Sequence, residues 1–230
     1  MFPFILRIDA LIHSAYHLAG GRYIVEACNQ GGKTMSPRLR MLERSEMSRT
    51  QTLLVDTCTF NGAPDALIAS IFTRSEVGRI WLRAWNEVLN GGIVPVEIKE
   101  MCRVLLSTRH QCGYCSTVRS RVAASEGLSE EKLMATIDFE NSPLLSDREK
   151  AALRFALLFH EGDEALDSDT VFDDIKVHFS EEEIIELALL CGETTGVGKF
   201  ARALQVRTWD EACEIQPRLR TNAPLAEAAE

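Results

Sequence analysis

Residues Arg109–Ser120 read RHQCGYCSTVRS and hold two cysteines, Cys112 and Cys115, three positions apart. Gly113 and its polar neighbours predict a break at 110–113, followed by a helix that starts beside the first cysteine. Side chains three apart on a helix share one face, and the unpaired N–H groups of a helix start favour a thiolate. The stretch therefore predicts two helices joined by a turn that carries a cysteine pair.

Three interpretations of this pair remain open: a redox pair, a metal site, or two structural thiols. A zinc site needs four ligands, and His110, Cys112 and Cys115 supply three. No second C-x-x-C and no H-x-x-x-H provides the fourth. We therefore expect no metal and no cofactor, and favour the redox pair over buried structural cysteines.

Charged residues on both sides of the turn support the redox interpretation. Glu100 lies twelve residues before Cys112, too far to act on it along one straight helix. A helical hairpin bending near residues 109–110 would instead place Glu100 across from Arg119, with Cys115 one turn before that arginine. The hairpin predicts an acid, a permanent cation and a thiol in one cluster, although an ordinary Glu100–Arg119 ion pair is an alternative interpretation.

The rest of the chain is dominated by helical periodicity. Apolar positions at i, i+3, i+4 and i+7 run from Val77 to Leu89 and end at Gly91. The helix after the break is expected to run to about Ser125, and the best strand candidate is the short VDTCTF at 55–60. Further helix starts are predicted at Ser75, at Pro95, at Ser146 with Glu149, and at Ser180 with Glu183. The fold class is all-α.

Composition limits the function classes. The 230 residues carry a net charge of −9, which disfavours nucleic-acid binding by phosphate neutralisation. No run approaches the ~20 apolar residues of a membrane span, and Arg7 and Asp9 interrupt the apolar start that a signal peptide would need. Seven scattered cysteines suit a reducing compartment. We expect a cytoplasmic protein with neither a nucleic-acid nor a membrane partner.

Three regions are predicted along the chain: an N-terminal extension of uncertain order over 1–50, a helical domain over 51–212, and a C-terminal tail over 213–230. GETTGVGK at 192–199 superficially resembles a phosphate-binding loop. Its spacing is one residue too long, Phe200 replaces the hydroxyl residue, and no strand precedes it. We expect its glycines to permit close helix approach or a kink.

The spacing from Glu100 through eleven residues to Cys112-Gly-Tyr-Cys115 resembles the E-x11-C-x-x-C-x3-H signature of alkylhydroperoxidase D-like (AhpD-like) proteins, in the carboxymuconolactone decarboxylase superfamily. The segments IWLRAWNEVL (80–89), LLSDREKAALRFALLF (144–159) and HFSEEEIIELALLCGETTGVGKFARALQV (178–206) are also similar to that family, so the resemblance covers roughly 65–207. It implies an AhpD-like helical bundle whose hairpin carries the CxxC motif, and a homo-oligomer, often a trimer or hexamer.

The resemblance also implies site roles. Cys115 would be the peroxide-reactive thiol, Cys112 its resolving partner, and Glu100 part of a proton relay. Arg119 stands where the family's relay histidine is expected, and it cannot pass on a proton. Tyr114 stands where the peroxidase branch often has histidine, which leaves His110 and Tyr114 as candidates for proton transfer.

The predicted function is that of a thiol oxidoreductase which reduces a peroxide or disulfide and is recycled by an external thiol or disulfide reductant. The alternative is a carboxymuconolactone decarboxylase-like lyase or isomerase acting on a small carboxylated ring. There Arg119 would hold the carboxylate, and Glu100 or His110 would move protons. A third interpretation is a non-catalytic oligomer with buried thiols.

Overall fold

The computed structural model describes residues 37–160, 167 and 169–222, which belong to one compact unit, Met35–Glu230. Across these residues the regular structure is helical, with no strand, so the all-α prediction is confirmed. Short 3₁₀ turns cover Arg44–Glu46, Ala135–Asp138 and Pro217–Asn222. The α-helices are α1 Arg49–Asn61, α2 Ala66–Phe72, α3 Glu76–Asn90, α4 Val96–Arg109, α5 Gly113–Thr117, α6 Arg121–Ser125, α7 Glu130–Met134, α8 Asp147–Leu158, α9 Asp169–His178, α10 Glu181–Ala203 and α11 Trp209–Ile215.

The helix starts follow the predicted capping chemistry. The Ser75 hydroxyl accepts a hydrogen bond from the Gly78 amide, and α3 ends at Gly91. Pro95 is the N-cap of α4. Capping boxes that pair Ser146 with Glu149 and Ser180 with Glu183 open α8 and α10. Side-chain oxygens satisfy amide groups that have no partner inside the helix, which explains why short sequence signals located these starts.

The stretch 55–60, the best strand candidate in the sequence, lies within α1 and agrees with the all-α prediction. A capping box of Ser48 and Gln51 starts this helix. Its buried residues Val55 and Cys58 are three apart, which is helical rather than strand spacing. The hydroxyl of Thr59 donates to the Val55 carbonyl at 2.7 Å, a bond that lets a β-branched residue fit a helix.

Helix α4 forms the centre of the molecule and packs against α8, α10 and α5. Every residue from Ile98 to Thr108 is buried, although a helix at a surface normally leaves one polar face exposed. Its buried polar side chains must therefore find partners inside the protein. Lys99 Nζ binds the Gly91 carbonyl at 2.6 Å and the Glu186 carboxylate at 2.9 Å, which ties α4 to α10.

Two expectations about helix continuity are wrong. The helix predicted from the break to about Ser125 is divided into α5 and α6 by an extended Val118, and the Ser120 hydroxyl caps the new start by accepting from the Ala123 amide. Residues 192–199 lie inside the uninterrupted α10. There a side chain on Gly192 or Gly196 would meet open space, so neither glycine is needed for close helix approach.

The proposed boundaries at residues 50 and 212 stay predictions. The extension over 1–50 lies outside the described residues as far as residue 36, and the tail over 213–230 lies outside them from residue 223 onward. Among the helices that are described, none has both the length and the apolar character needed to cross a membrane.

Candidate functional site

The turn between α4 and α5 brings the two cysteines together. His110 ends α4, and Gln111 adopts a left-handed φ of 51° that reverses the chain. Cys112 is the N-cap of α5, where its Sγ accepts a hydrogen bond from the Cys115 amide at 3.2 Å. Cys112 and Cys115 form a disulfide bond. The pair therefore stands in its oxidised form at the first turn of a short helix.

Gly113 allows this turn to pack against the start of α11. A Cβ at position 113 would overlap the backbone carbonyl oxygens of Arg207 and Thr208. The Arg207 guanidinium also donates to the Thr117 hydroxyl at the other end of α5. Close backbone approach holds the five-residue helix in place, although it is too short to be stable alone.

A cavity of about 60 Å³ lies beside the disulfide, and Cys115 forms part of its wall. Cys115 is 9% exposed, whereas Cys112 is fully buried and does not line the cavity. Most of the wall is apolar or aromatic, with contributions from Ile68, Trp81, Trp85, Val118, Val197 and Ala201. Cys115 is thus the member of the pair that a small molecule in this cavity can reach.

The predicted pairing of Glu100 with Arg119 is wrong. Glu100 is 1% exposed, and its two carboxylate oxygens bind Arg103 Nε at 2.6 Å and Nη2 at 2.7 Å. The Ser120 amide donates to the same carboxylate at 2.8 Å. Arg103 lies one turn further along α4 and therefore reaches Glu100 without depending on the geometry of the hairpin.

Arg103 connects this ion pair to the cysteine helix. Its guanidinium donates to the Cys115 carbonyl at 2.7 Å and to the Val118 carbonyl at 2.8 Å. These carbonyls lie near the end of α5, where they lack helical partners. Burial alone would lower the pKa of Arg103, but the Glu100 carboxylate outweighs it and the pKa is raised. A permanently charged, fully engaged arginine thus fixes the backbone at Cys115.

Arg119 lies beside this cluster and has no contact with Glu100. Its guanidinium donates to the Ser116 carbonyl at 2.7 Å and to the Val118 carbonyl at 2.9 Å. Its guanidinium binds the Glu130 carboxylate at 2.8 and 2.9 Å and contacts the Met134 sulfur, and it does not line the cavity. The extended residue Val118 turns the chain so that position 119 faces α7. The structure therefore does not bring Arg119 together with Glu100.

Tyr114 lies between the cysteines and lines the cavity, but its hydroxyl is already engaged. It donates to Asp65 Oδ1 at 2.7 Å and accepts from the Asp65 amide at 3.0 Å. Burial and the neighbouring Asp65 charge raise the pKa of Tyr114 well above its usual value. At neutral pH the phenol keeps its proton and ties α5 to the start of α2.

His110 is buried at 5% exposure, and neither ring nitrogen has a hydrogen-bond partner among the described residues. Its ring lies 5.1 Å from that of His160. Burial, followed by the charges of His160 and nearby cations, lowers the pKa of His110 to about 4. His110 does not line the cavity. Its Nδ1 lies 4.0 Å from where a Gly198 Cβ would be, so the neutral imidazole stands just behind the cavity wall.

A sequence profile of the carboxymuconolactone decarboxylase family matches residues 75–157, which include Glu100, Arg103 and both cysteines. Over this stretch, which is about a third of its length, the chain is similar to the carboxymuconolactone decarboxylase family. The resemblance indicated by the CxxC spacing is confirmed.

Individual relatives cover different parts of the chain. The uncharacterized protein YnjA of Escherichia coli K12 is 28% identical over 122 residues, which are 53% of this chain and 66%, just under two thirds, of that protein. A cysteine-to-alanine variant of the debrominase Bmp8 in complex with 2,3,4-tribromopyrrole has a TM-score of 0.67 at 18% identity, covering 81% of this chain and 99% of that one. An Agrobacterium tumefaciens protein of unknown function, provisionally named antioxidant defence protein AhpD, has a TM-score of 0.52 at 21% identity, covering 58% and 90%. At these identities the structures share the AhpD-like fold.

The other four cysteines in the described part of the chain have a different environment. Cys58, Cys102, Cys191 and Cys213 are free and buried. Burial raises the pKa of both Cys58 and Cys102 to about 12, so both stay protonated at neutral pH. No group of three or more His, Cys, Asp or Glu side chains within the described part of the chain could hold a metal ion.

Sequence reasoning missed four residues around the cysteines: Arg103, Asp65, Glu193 and Thr194. Arg103 carried a detectable signal, since it is the lone cation in the apolar run MCRVLL at 101–106, three positions after Glu100. A buried charge needs a partner, and the spacing offered one. Asp65, Glu193 and Thr194 gave no local signal, because only folding brings α2 and α10 to the cysteine turn.

Proposed function

We propose that this protein is a thiol oxidoreductase whose Cys112–Cys115 pair cycles between dithiol and disulfide. One observation carries the proposal: the two cysteines are bonded to each other, with Cys115 in the wall of a cavity and Cys112 buried behind it. A reactive thiol needs access to substrate, whereas its resolving partner needs only access to the first sulfur.

With a hydroperoxide ROOH as oxidant, the Cys115 thiolate attacks the terminal peroxide oxygen. The O–O bond breaks, Cys115 becomes a sulfenic acid, and RO⁻ leaves as the alcohol after taking up a proton. The Cys112 thiolate then attacks the Cys115 sulfur, which forms the disulfide and releases hydroxide that is protonated to water. An external dithiol returns two electrons and two protons. Because the pKa of His110 is about 4, its imidazole is a poor acceptor for the Cys112 proton at neutral pH, and we assign it no proton transfer.

Glu100 and Arg103 are proposed as positioning residues in this cycle. Glu100 does not line the cavity, and both of its oxygens accept hydrogen bonds from Arg103. Arg103 in turn holds the Cys115 carbonyl. We propose that this chain of contacts fixes the reactive sulfur against the cavity, and that Arg119 has no part in the chemistry.

Thiol counting tests the cycle. In reduced protein denatured after peroxide treatment, we expect titratable thiols to fall from seven to five per chain and to return with dithiothreitol. Cys115→Ser should lose none, and Cys112→Ser should form a sulfenic acid that dimedone traps. Cys213→Ser removes a buried free thiol and serves as the matched control with normal turnover. Full peroxide turnover by Cys115→Ser would refute the proposal.

A second candidate is reductive debromination of a small aromatic ring. It is favoured by the aromatic part of the cavity wall, where the Trp81 and Trp85 rings stack at 5.6 Å, and by the fold shared with Bmp8. The balanced reaction is ArBr with two thiols giving ArH, bromide, a proton and a disulfide. Bromide release from 2,3,4-tribromopyrrole in the presence of dithiothreitol would support it. Peroxide turnover without bromide release would leave the first candidate alone.

The lyase alternative has no observation in its favour. Arg119, predicted to hold the substrate carboxylate, pairs with Glu130 and lies outside the cavity wall. A cytoplasmic location, an external thiol or disulfide reductant and a homo-oligomeric state complete the proposal. The buried free cysteines agree with a reducing compartment.

A further inference from the structure

The cavity beside Cys115 holds two polar residues of α10 that the proposed thiol chemistry does not use, Glu193 and Thr194. Thr194 is 5% exposed, and its hydroxyl has no hydrogen-bond partner among the described residues. Buried hydroxyl groups are nearly always hydrogen-bonded. An unpartnered hydroxyl in a cavity wall indicates a group available to a bound molecule.

Glu193 adds a charged acceptor next to this hydroxyl. One of its carboxylate oxygens accepts a hydrogen bond from the Trp81 indole N–H. The second oxygen accepts none from the part of the chain that the structure describes. This carboxylate can accept an N–H or O–H from a ligand and repels an anionic one.

The remaining wall determines the shape of the ligand. Trp81 and Trp85 stack with an interplanar angle of 21° and present aromatic surface to the cavity. The volume of about 60 Å³ limits the ligand to one small ring at most. Arg103 also lines the cavity, but its charge is paired with Glu100 and does not favour an anion.

We propose that this cavity binds small, flat, uncharged ring compounds that carry one N–H or O–H donor. The ring lies against the Trp81–Trp85 surface, the donor binds Glu193, and Thr194 forms a second polar contact. This assignment of substrate class rests on the proposed function only where it takes Cys115 as the reacting atom. Binding itself needs no thiol chemistry.

Three probes of similar size separate the contributions: phenol, with a donor; toluene, with a methyl group in its place; and benzoate, with a negative charge. They are titrated into the full chain in its disulfide form, and the Trp81 indole N–H resonance is followed by NMR. We expect phenol to bind about tenfold more tightly than toluene, since a hydrogen bond to a charged acceptor is worth about that ratio, and benzoate to show no saturation. Equal affinity for phenol and toluene, or tighter binding of benzoate, would overturn the assignment.

Two near-isosteric variants assign the contacts. Thr194→Val should raise the Kd for phenol at least threefold and leave the Kd for toluene unchanged. Glu193→Gln should reduce the preference for phenol over toluene to less than threefold and allow benzoate to bind. Glu182→Gln, an exposed glutamate at the start of the same helix, is the matched control. If both cavity variants keep the wild-type selectivity while the indole resonances show a native fold, the assignment is wrong.

The outcomes for binding and for turnover are independent. If phenol binds selectively and the thiols do not cycle, the oxidoreductase proposal is refuted and the binding site is supported. If the thiols cycle and phenol does not bind selectively, the binding site is refuted and the oxidoreductase proposal is supported. Cys115→Ser, tested in parallel, should bind phenol and fail to cycle.

Discussion

Arg103 and Arg119 carry the same charge in different surroundings. The Arg103 side chain is 4% exposed and its partner Glu100 is 1% exposed, whereas Arg119 and Glu130 are 26% and 50% exposed. Removing one member of a buried ion pair leaves an unpaired charge in a low-dielectric interior. An exposed pair is hydrated with or without its partner.

We therefore expect Arg103→Met to lower the free energy of unfolding by ~3–5 kcal/mol, and Arg119→Met to lower it by less than ~1 kcal/mol. Urea unfolding of the oxidised proteins measures both. The double variant Glu100→Gln/Arg103→Met removes both buried charges and should be more stable than Arg103→Met alone. Similar losses for the two single arginine variants would contradict the assignment of the buried pair.

His110 predicts a pH dependence of stability. The pKa of His110 is about 4 in the folded chain and ~6.5 in the unfolded chain. Between these two pH values the histidine is protonated when the chain is unfolded and neutral when it is folded. The free energy of unfolding should therefore fall as the pH drops from about 6.5 to about 4, by up to ~3 kcal/mol from this residue. His110→Phe should remove that contribution. Urea unfolding at pH 7 and pH 4.5 tests it, and an unchanged pH dependence in the variant would refute it.

At the scale of elements, helix α5 is stabilised by its packing against α11, whereas α10 is stabilised by the helical preference of its own residues. Gly113 of α5 has no room for a Cβ, because the Thr208 carbonyl occupies that space. Gly196 of α10 faces open space inside a regular helix. The same substitution should therefore have opposite effects at the two glycines.

Gly113→Ala should destabilise the protein by ~1–3 kcal/mol, because α5 must shift away from α11. Gly196→Ala should stabilise it by ~0.5–1 kcal/mol, because alanine lowers the conformational entropy of the unfolded chain and is favoured over glycine in a helix interior. Thermal unfolding monitored by circular dichroism compares the two directly. Destabilisation by both substitutions would show that Gly196 has a contact that the isolated chain does not contain.

The helices also show which boundaries the sequence patterns predicted correctly. Ser75, Ser146 and Ser180 located their helix starts correctly, because a cap is a contact between residues three positions apart. The division of α5 from α6 was missed. Ser120 offered a local cap signal, but the extended Val118 before it has its carbonyl bound by Arg103, which lies fifteen positions away.

For the whole molecule, the homo-oligomer implied by the family resemblance stays a prediction. The apolar residues Ile185 and Leu189 of α10 are 60% and 55% exposed. They form a surface that contact between subunits would bury. Sedimentation velocity should give a mass of three or six times the 25.7 kDa chain. A single species at 25.7 kDa across micromolar concentrations would refute the prediction.

The sequence by itself determined the helical class, most helix starts, the family resemblance and the cysteine pair, because these depend on periodicity, caps and a motif of short spacing. Tertiary structure decided that Arg119 pairs with Glu130 and not with Glu100, and it placed Tyr114 against Asp65 and His110 behind the cavity wall. It alone brought Glu193 and Thr194 to the cavity beside Cys115, about eighty positions away in sequence. Such contacts arise from the packing of α10 on α4 and leave no local pattern, because each partner looks ordinary within its own helix.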